Sequence, residues 1–193
     1  ALFSVDGTRM EYKAVLSYYN SGYNLPGDII HAPPEALVMI SGYDMSHPQD
    51  VVSAKYRCES WEAPLPQFDE GDPMDHVPYL PKCQVGDLLE FRVVFPQCWD
   101  GVNLTSDDKR SHMSYPIPAE TPFTGTGRCP DSHPIAIPEI SYKFAVMVTN
   151  STGPSDTWYL SSDMKELHPN GSSLHGDWMN GWDSDIMDLI INN

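Results

Sequence analysis

Asp87-Leu-Leu-Glu-Phe-Arg-Val-Val-Phe95 decides the fold. The run is apolar on both faces apart from Glu90 and Arg92, the pattern of a strand covered on both sides in the middle of a sheet. It delivers the densest chemistry of the chain at its end. Pro96-Gln-Cys98-Trp99-Asp100-Gly-Val-Asn103-Leu104 runs on through Thr105-Ser-Asp107-Asp108-Lys-Arg-Ser111-His112-Met-Ser-Tyr115-Pro116. Gly and Pro punctuate this segment, so it reads as a loop, where functional side chains tend to be displayed.

Other strands lie on either side in sequence. In Glu139-Ile-Ser-Tyr-Lys-Phe-Ala-Val-Met-Val148 the residues Ile140, Tyr142, Phe144, Val146 and Val148 alternate inward, and Trp158-Tyr-Leu-Ser-Ser reads as a shorter strand. Toward the N-terminus, Met10, Tyr12, Ala14, Leu16 and Tyr18 are expected on one face, with Glu11, Lys13 and Ser17 on the other. A hairpin is expected to turn at Asp6-Gly7, and a strand at Ala36-Leu-Val-Met-Ile40. Residues 20–35, the segment after Gly42, the stretch from Ala54 to Pro81 and residues 116–138 read as irregular. After Asp183, the residues Ile186, Leu189 and Ile190 recur at helical spacing behind an acidic cap. They predict a short amphipathic helix that holds a His175–Trp182 loop against the sheet.

Composition agrees with this pattern. The chain has 193 residues, 40% of them hydrophobic and 11% aromatic, enough for one domain with a core. Its 18 Pro and 13 Gly favour short strands and turns over long helices. The expectation is one mainly β domain over residues 1–193, an antiparallel β-sandwich or jelly roll with long loops. The net charge of -16, from 27 acidic and 11 basic residues, has no clustered Lys or Arg and argues against nucleic acid and anionic membranes. No apolar run is long enough to insert in a membrane, and no signal peptide is visible, as in a mature secreted chain.

Cysteine and asparagine place the compartment. Cys58, Cys83, Cys98 and Cys129 contain no Cys-x-x-Cys pair, so disulfides fit better than a zinc ribbon. Of the possible pairings, Cys58 with Cys83 and Cys98 with Cys129 each tie off one irregular stretch, and the second draws the Asp100 loop toward His133. Asn103-Leu-Thr105, Asn150-Ser-Thr152 and Asn170-Gly-Ser172 are N-glycosylation acceptors. Together these features predict an extracellular, secreted glycoprotein.

Two later segments look like partners of the Cys98 loop. Cys129-Pro-Asp-Ser-His133-Pro supplies a second His, and Leu174-His175-Gly-Asp177-Trp178-Met-Asn180-Gly-Trp182-Asp183 a third. His112, His133 and His175, joined by Asp100 or Asp177, have the residue types of a three-His and carboxylate site for a divalent cation with a position open for water. In that reading His112, His175, Asp177 and Asp100 do the chemistry. Trp99, Tyr115, Trp178, Asn180, Trp182 and Asp183 then line the site. Asp69, Glu70, Asp72 and Asp75 near His76 offer oxygen ligands for Ca²⁺, but they lack EF-hand spacing and read first as a solvated acidic loop. His31 and His47 have no acidic or cysteine neighbour at ligand spacing and read as ordinary loop residues.

The motifs resemble a known family. Phe95 to Leu104, Ser111 to Pro116, Cys129-Pro130 and His175 to Asp183 are similar to the signature runs of secreted fungal and actinobacterial proteins grouped as the domain of unknown function DUF1996. Weaker similarity extends back through Tyr18-Tyr19 and Leu37-Val-Met-Ile-Ser-Gly42. The resemblance brings no settled activity. Family members usually open with a His-x-His segment that nothing here matches, so the chain is expected to be a partial or processed form of the family domain. Relatives often carry an acidic residue where Thr105 creates the Asn103 acceptor.

Two functional classes follow. One is a noncatalytic structural subunit, self-assembling through edge strands as a homo-oligomer or filament, or associated with glycan or cell wall. The other is a metal-assisted polysaccharide-cleaving enzyme, a hydrolase or lyase, using the His/Asp cluster.

Overall fold

The computed structural model describes residues 1–20, 29–43, 53–60, 78–117, 127–163 and 171–191. The strands are β1 (Leu2–Phe3), β2 (Ala14–Asn20), β3 (Val38–Gly42), β4 (Ala54–Ser60), β5 (Asp87–Val94), β6 (Cys98–Trp99), β7 (Met113–Ser114), β8 (Ile135–Ala136), β9 (Glu139–Met147), β10 (Tyr159–Leu160) and β11 (His175–Met179). A 3-10 turn at Ser155–Thr157 precedes β10, and one helix, α1 (Ser184–Ile191), follows β11. The fold is mainly β, and every strand pair is antiparallel.

The largest sheet has four strands in the order β2-β9-β5-β4. As its composition dictates, β5 is an inner strand. The register places Tyr56, Phe91 and Phe144 in one row across the sheet. Phe91 and Phe144 stack with ring centroids 5.0 Å apart, and Tyr12 and Tyr56 pack against Phe91 at 5.9 and 5.8 Å. This apolar face is the core. It is covered by the β3–β11 ribbon: Gly176 lies so close to Phe95, Val93 and Tyr142 that a Cβ there would stand 3.1–3.4 Å from their side chains. A two-layer β arrangement results.

The opposite face of the sheet is charged. Arg57 Nη2 and Lys143 Nζ reach Glu90 Oε2 at 3.0 and 2.5 Å, and Arg92 Nη2 lies 3.5 Å from Glu139. Glu90 and Glu139 are buried, so these are cross-strand pairs held away from water rather than surface decoration. The two polar exceptions in the β5 run are therefore the side chains of this second face.

Several expectations are corrected. The strand expected from Met10 starts at Ala14, and the alternation breaks between them. Lys13 N–H donates to Ala145 O, next to the point where Ala14 pairs with Ala145. Tyr12 packs on Phe144, and Val15, three residues on, lies opposite Phe144. An irregularity at Lys13 thus exchanges the two faces, and Leu16 and Tyr18 do not join the core. The strand expected at Ala36 begins at Val38 because Ala36 adopts a φ of 61°. β4 lies in a stretch that reads as irregular. The helix forms where expected, yet it buries Met187 while Ile186, Leu189 and Ile190 stay exposed. His175–Met179 is a strand, not a loop.

Two disulfides form, Cys58–Cys83 and Cys98–Cys129. The first anchors edge strand β4 to the approach to β5. The second accompanies a three-stranded sheet, β7-β6-β8, that holds the loop after Trp99. The turn at Asp6-Gly7 forms as expected, with Gly7 at a φ of 85°. No described helix is long and apolar enough to cross a membrane.

Candidate functional site

The loop from Cys98 to Tyr115 is built by its own short polar side chains. Asp100 Oδ1 accepts from the backbone N–H of Val102 and Asn103 at 2.8 and 2.9 Å, and its Oδ2 accepts from Asn103 Nδ2 at 2.7 Å. Gly101 takes the left-handed conformation that this turn needs. Trp99 Nε1 donates to Asn103 O at 2.7 Å and closes the turn. A second nest surrounds Asp108, which accepts from the N–H of Arg110 and Ser111 and from the hydroxyls of Ser106 and Ser111. Burial alone would raise the pKa of both carboxyls, but these donors hold each below the ordinary aspartate value.

His112 sits beneath this loop, buried. Its Nε2 donates to Val38 O at 2.8 Å, and its Nδ1 meets Ser106 Oγ at 2.8 Å. A carbonyl only accepts, so Nε2 carries a proton, while the single hydroxyl proton of Ser106 serves either Nδ1 or Asp108 Oδ1 at any moment. Ser106 Oγ also stands 2.6 Å from Asp108 Oδ1, which links ring and carboxylate. Burial lowers the His112 pKa against the opposing pull of the Val38 carbonyl, Asp100 and Asp108. The loop runs along the edge of β3, where Leu104 O and Lys109 O accept from Val38 N–H and Ile40 N–H. His112 therefore stitches this loop to β3.

His133 is brought to the same loop. Its Nε2 lies 3.1 Å from Ser111 O and its Nδ1 3.0 Å from Ser132 Oγ. Its charge, when present, lowers the His112 pKa further. His175 is elsewhere. It pairs with Gly42 on the other edge of β3, exposed, with Nδ1 2.8 Å from Ser173 O. Gly42 is four residues from Val38, or about 13 Å along an extended strand. Asp177 shares the exposed face of β11 with His175, while Trp178 beside it is buried. The three His are thus divided between two places. Among the described residues, no three His, Cys, Asp or Glu side chains are grouped closely enough to hold a metal ion. His47 and the acidic loop around His76 lie outside the described residues.

The other expected lining residues have structural positions. Tyr115 donates to Val94 O at 2.8 Å and touches Ser41 Oγ at 2.8 Å; burial pushes its pKa up to about 12. Asn180 donates to Pro33 O and Pro34 O at 2.8 and 3.0 Å and accepts from Trp182 N–H, so it locks the segment before β3 to the end of β11. Asp183 caps α1 through the N–H of Asp185 and Ile186. Trp182 remains half exposed, with Nε1 donating to Tyr19 OH at 3.0 Å and the two rings perpendicular at 6.2 Å. Asn103 and Asn150 are exposed, as glycan acceptors must be, and Asn170 lies outside the described residues.

Sequence reasoning missed one perturbed group. Glu139 is 2% exposed at the start of β9, and burial raises its pKa to about 7 despite Arg92 beside it. The signal was present: Glu139 opens an apolar run and Arg92 interrupts another, and two such exceptions on adjacent strands point to each other.

The family model described as "Domain of unknown function (DUF1996)" matches residues 3–182. The chain belongs to the DUF1996 family. The DUF1996 match covers nearly all of the strand framework and ends just before α1. No curated protein and no solved structure matches the chain. The two disulfides of this DUF1996 chain are compatible with an extracellular protein.

Proposed function

We propose that this protein is an extracellular glycoprotein that serves as a structural subunit, self-assembling or associated with a glycan or cell-wall matrix, rather than an enzyme acting through its His residues. The observation that carries this reading is His112, whose two ring nitrogens are both engaged at 2.8 Å, one by a backbone carbonyl and one by a serine. A catalytic base needs a nitrogen turned toward substrate, and a metal ligand needs one turned toward the ion. The half-exposed Trp182, braced by Tyr19, offers an aromatic face on which a sugar ring can stack.

The deciding experiment is native mass and particle size of the glycoprotein made in a eukaryotic secretory host, with metal content measured on the same sample. An assembly larger than one chain, without stoichiometric metal, is expected. A monomer holding one transition-metal ion per chain would overturn the reading in favour of a metal-assisted polysaccharide-cleaving enzyme.

A further inference from the structure

We propose that β2 is a self-pairing edge, and that two copies of the chain join antiparallel along it into one continuous eight-stranded sheet. This deepens the structural-subunit reading and rests on it by naming the partner and the contact.

The two edges of the four-stranded sheet are unlike. β4 carries Lys55, Arg57 and Glu59 and is tied down by the Cys58–Cys83 bridge, devices that keep an edge from pairing with another chain. β2, Ala-Val-Leu-Ser-Tyr-Tyr-Asn, has no charged residue in a chain of net charge -16. Two copies can approach there without opposing carboxylates. β2 also exposes apolar side chains on both faces: Val15 at 61%, Leu16 at 41%, Tyr18 at 47% and Tyr19 at 37%. Among the described residues it pairs with β9 alone, and in an antiparallel sheet alternate residues turn their N–H and C=O groups toward the outer side.

The strand is complementary to itself. A two-fold axis through Ser17 places Val15 opposite Tyr19 of the second copy and Leu16 opposite its Tyr18, aliphatic against aromatic in each row, a favourable cross-strand pairing. Tyr19 is already held in place by the indole N–H groups of Trp182 and Trp178, at 3.0 and 3.4 Å, so little freedom is lost on pairing. The axis makes the contact isologous, and with β4 blocked the sheet closes at two copies rather than growing indefinitely. The dimer is then the unit from which any larger assembly is made.

The register supplies its own test. Leu16→Lys and Tyr18→Glu are each made in the glycosylated full chain, and both replaced side chains are exposed, so thermal melts should match the parent. Each variant alone should weaken dimerisation by about tenfold or more in sedimentation equilibrium. Mixed together they should recover it, because the introduced lysine of one copy faces the introduced glutamate of the other, while the second Leu16–Tyr18 row is unchanged. A parent protein that stays monomeric at its highest soluble concentration overturns the inference and removes self-assembly from the wider reading. An assembly that neither variant weakens, or that mixing fails to restore, overturns the β2 register while leaving a structural subunit in place.

Discussion

Replacing Glu139 with Gln should make the protein more stable in neutral solution and leave it nearly unchanged in acid. Glu139 is buried at the start of β9, with Arg92 Nη2 3.5 Å away and the Tyr115 phenol close enough to feel its charge. Burial raises its pKa from 4.5 to about 7. Below pH 4.5 the group is protonated in both folded and unfolded chains and has no effect on the balance. Between 4.5 and 7 the unfolded chain has released the proton and the folded chain has kept it, so stability falls as pH rises; above 7 the loss is complete. At about 1.36 kcal/mol for each pKa step, the full loss is about 3 kcal/mol. Gln keeps the size and hydrogen-bonding capacity of the neutral acid but cannot ionise. Urea unfolding of the parent and Glu139→Gln, disulfides intact, should therefore give stability curves that run together near pH 4.5 and separate by about 3 kcal/mol at about pH 8. Titrating groups that do not touch Glu139 cancel in the difference. Curves that stay parallel across that range would refute the reasoning, because they would mean that Arg92 keeps Glu139 ionised throughout.

Three further outcomes are expected. His112→Ala should lower stability by about 3 kcal/mol in denaturant melts, because it leaves Val38 O without its side-chain partner in the interior and empties the space of a buried ring. In the parent, the lowered His112 pKa gives a contribution that is full above pH 6.5 and lost as pH falls below it, and the Ala variant should lack this acid-side slope. Removing the Cys98–Cys129 bridge by double Ala substitution opens a loop with a sequence separation of 31 and should cost about 3.5 kcal/mol, read as a fall in urea midpoint. Gly176→Ala should destabilise by about 1–3 kcal/mol, since its Cβ meets Phe95 and Val93 at 3.1 and 3.3 Å, and thermal unfolding would show it.

Much of the fold is legible because its core strands carry a strong period. β5 and β9 read directly from their apolar runs, and the helix from its acidic cap. β4 escapes such a reading, although Ala54, Tyr56 and Cys58 alternate with Lys55, Arg57 and Glu59, because it adjoins a long breaker-rich segment and its second face is charged. That face looks like solvent exposure until Glu90 and Lys143 are seen opposite it. The faces of β2 come out inverted for a different reason: an irregularity at Lys13 leaves composition untouched while inverting every residue after it. The exposure of Ile186, Leu189 and Ile190 likewise depends on which face of the helix the rest of the fold covers, here the one that carries Met187, which its own period does not encode.

The candidate site shows why dense motif chemistry is an ambiguous signal. Asp, Asn, Ser, His and Trp in a Gly-rich loop are the residues of an active site, and they are also the residues that satisfy a backbone lacking strand partners. Here Asp100 and Asp108 collect turn N–H groups, Trp99 and Asn103 close a loop, and His112 bonds a carbonyl of β3. Gly176 in the His-Gly-Asp run is explained by the close approach of β11 to Phe95. The spacing between motifs carries no information on convergence, because β3 stands between the His112 and His175 segments and holds one on each edge. Side chains needed to hold a long loop on a β framework would recur together in any chain with this framework, whether or not a reaction takes place there. Among the described residues, what this structural demand leaves exposed includes the uncharged edge of β2, the half-exposed Trp182 and the His175–Asp177 face of β11.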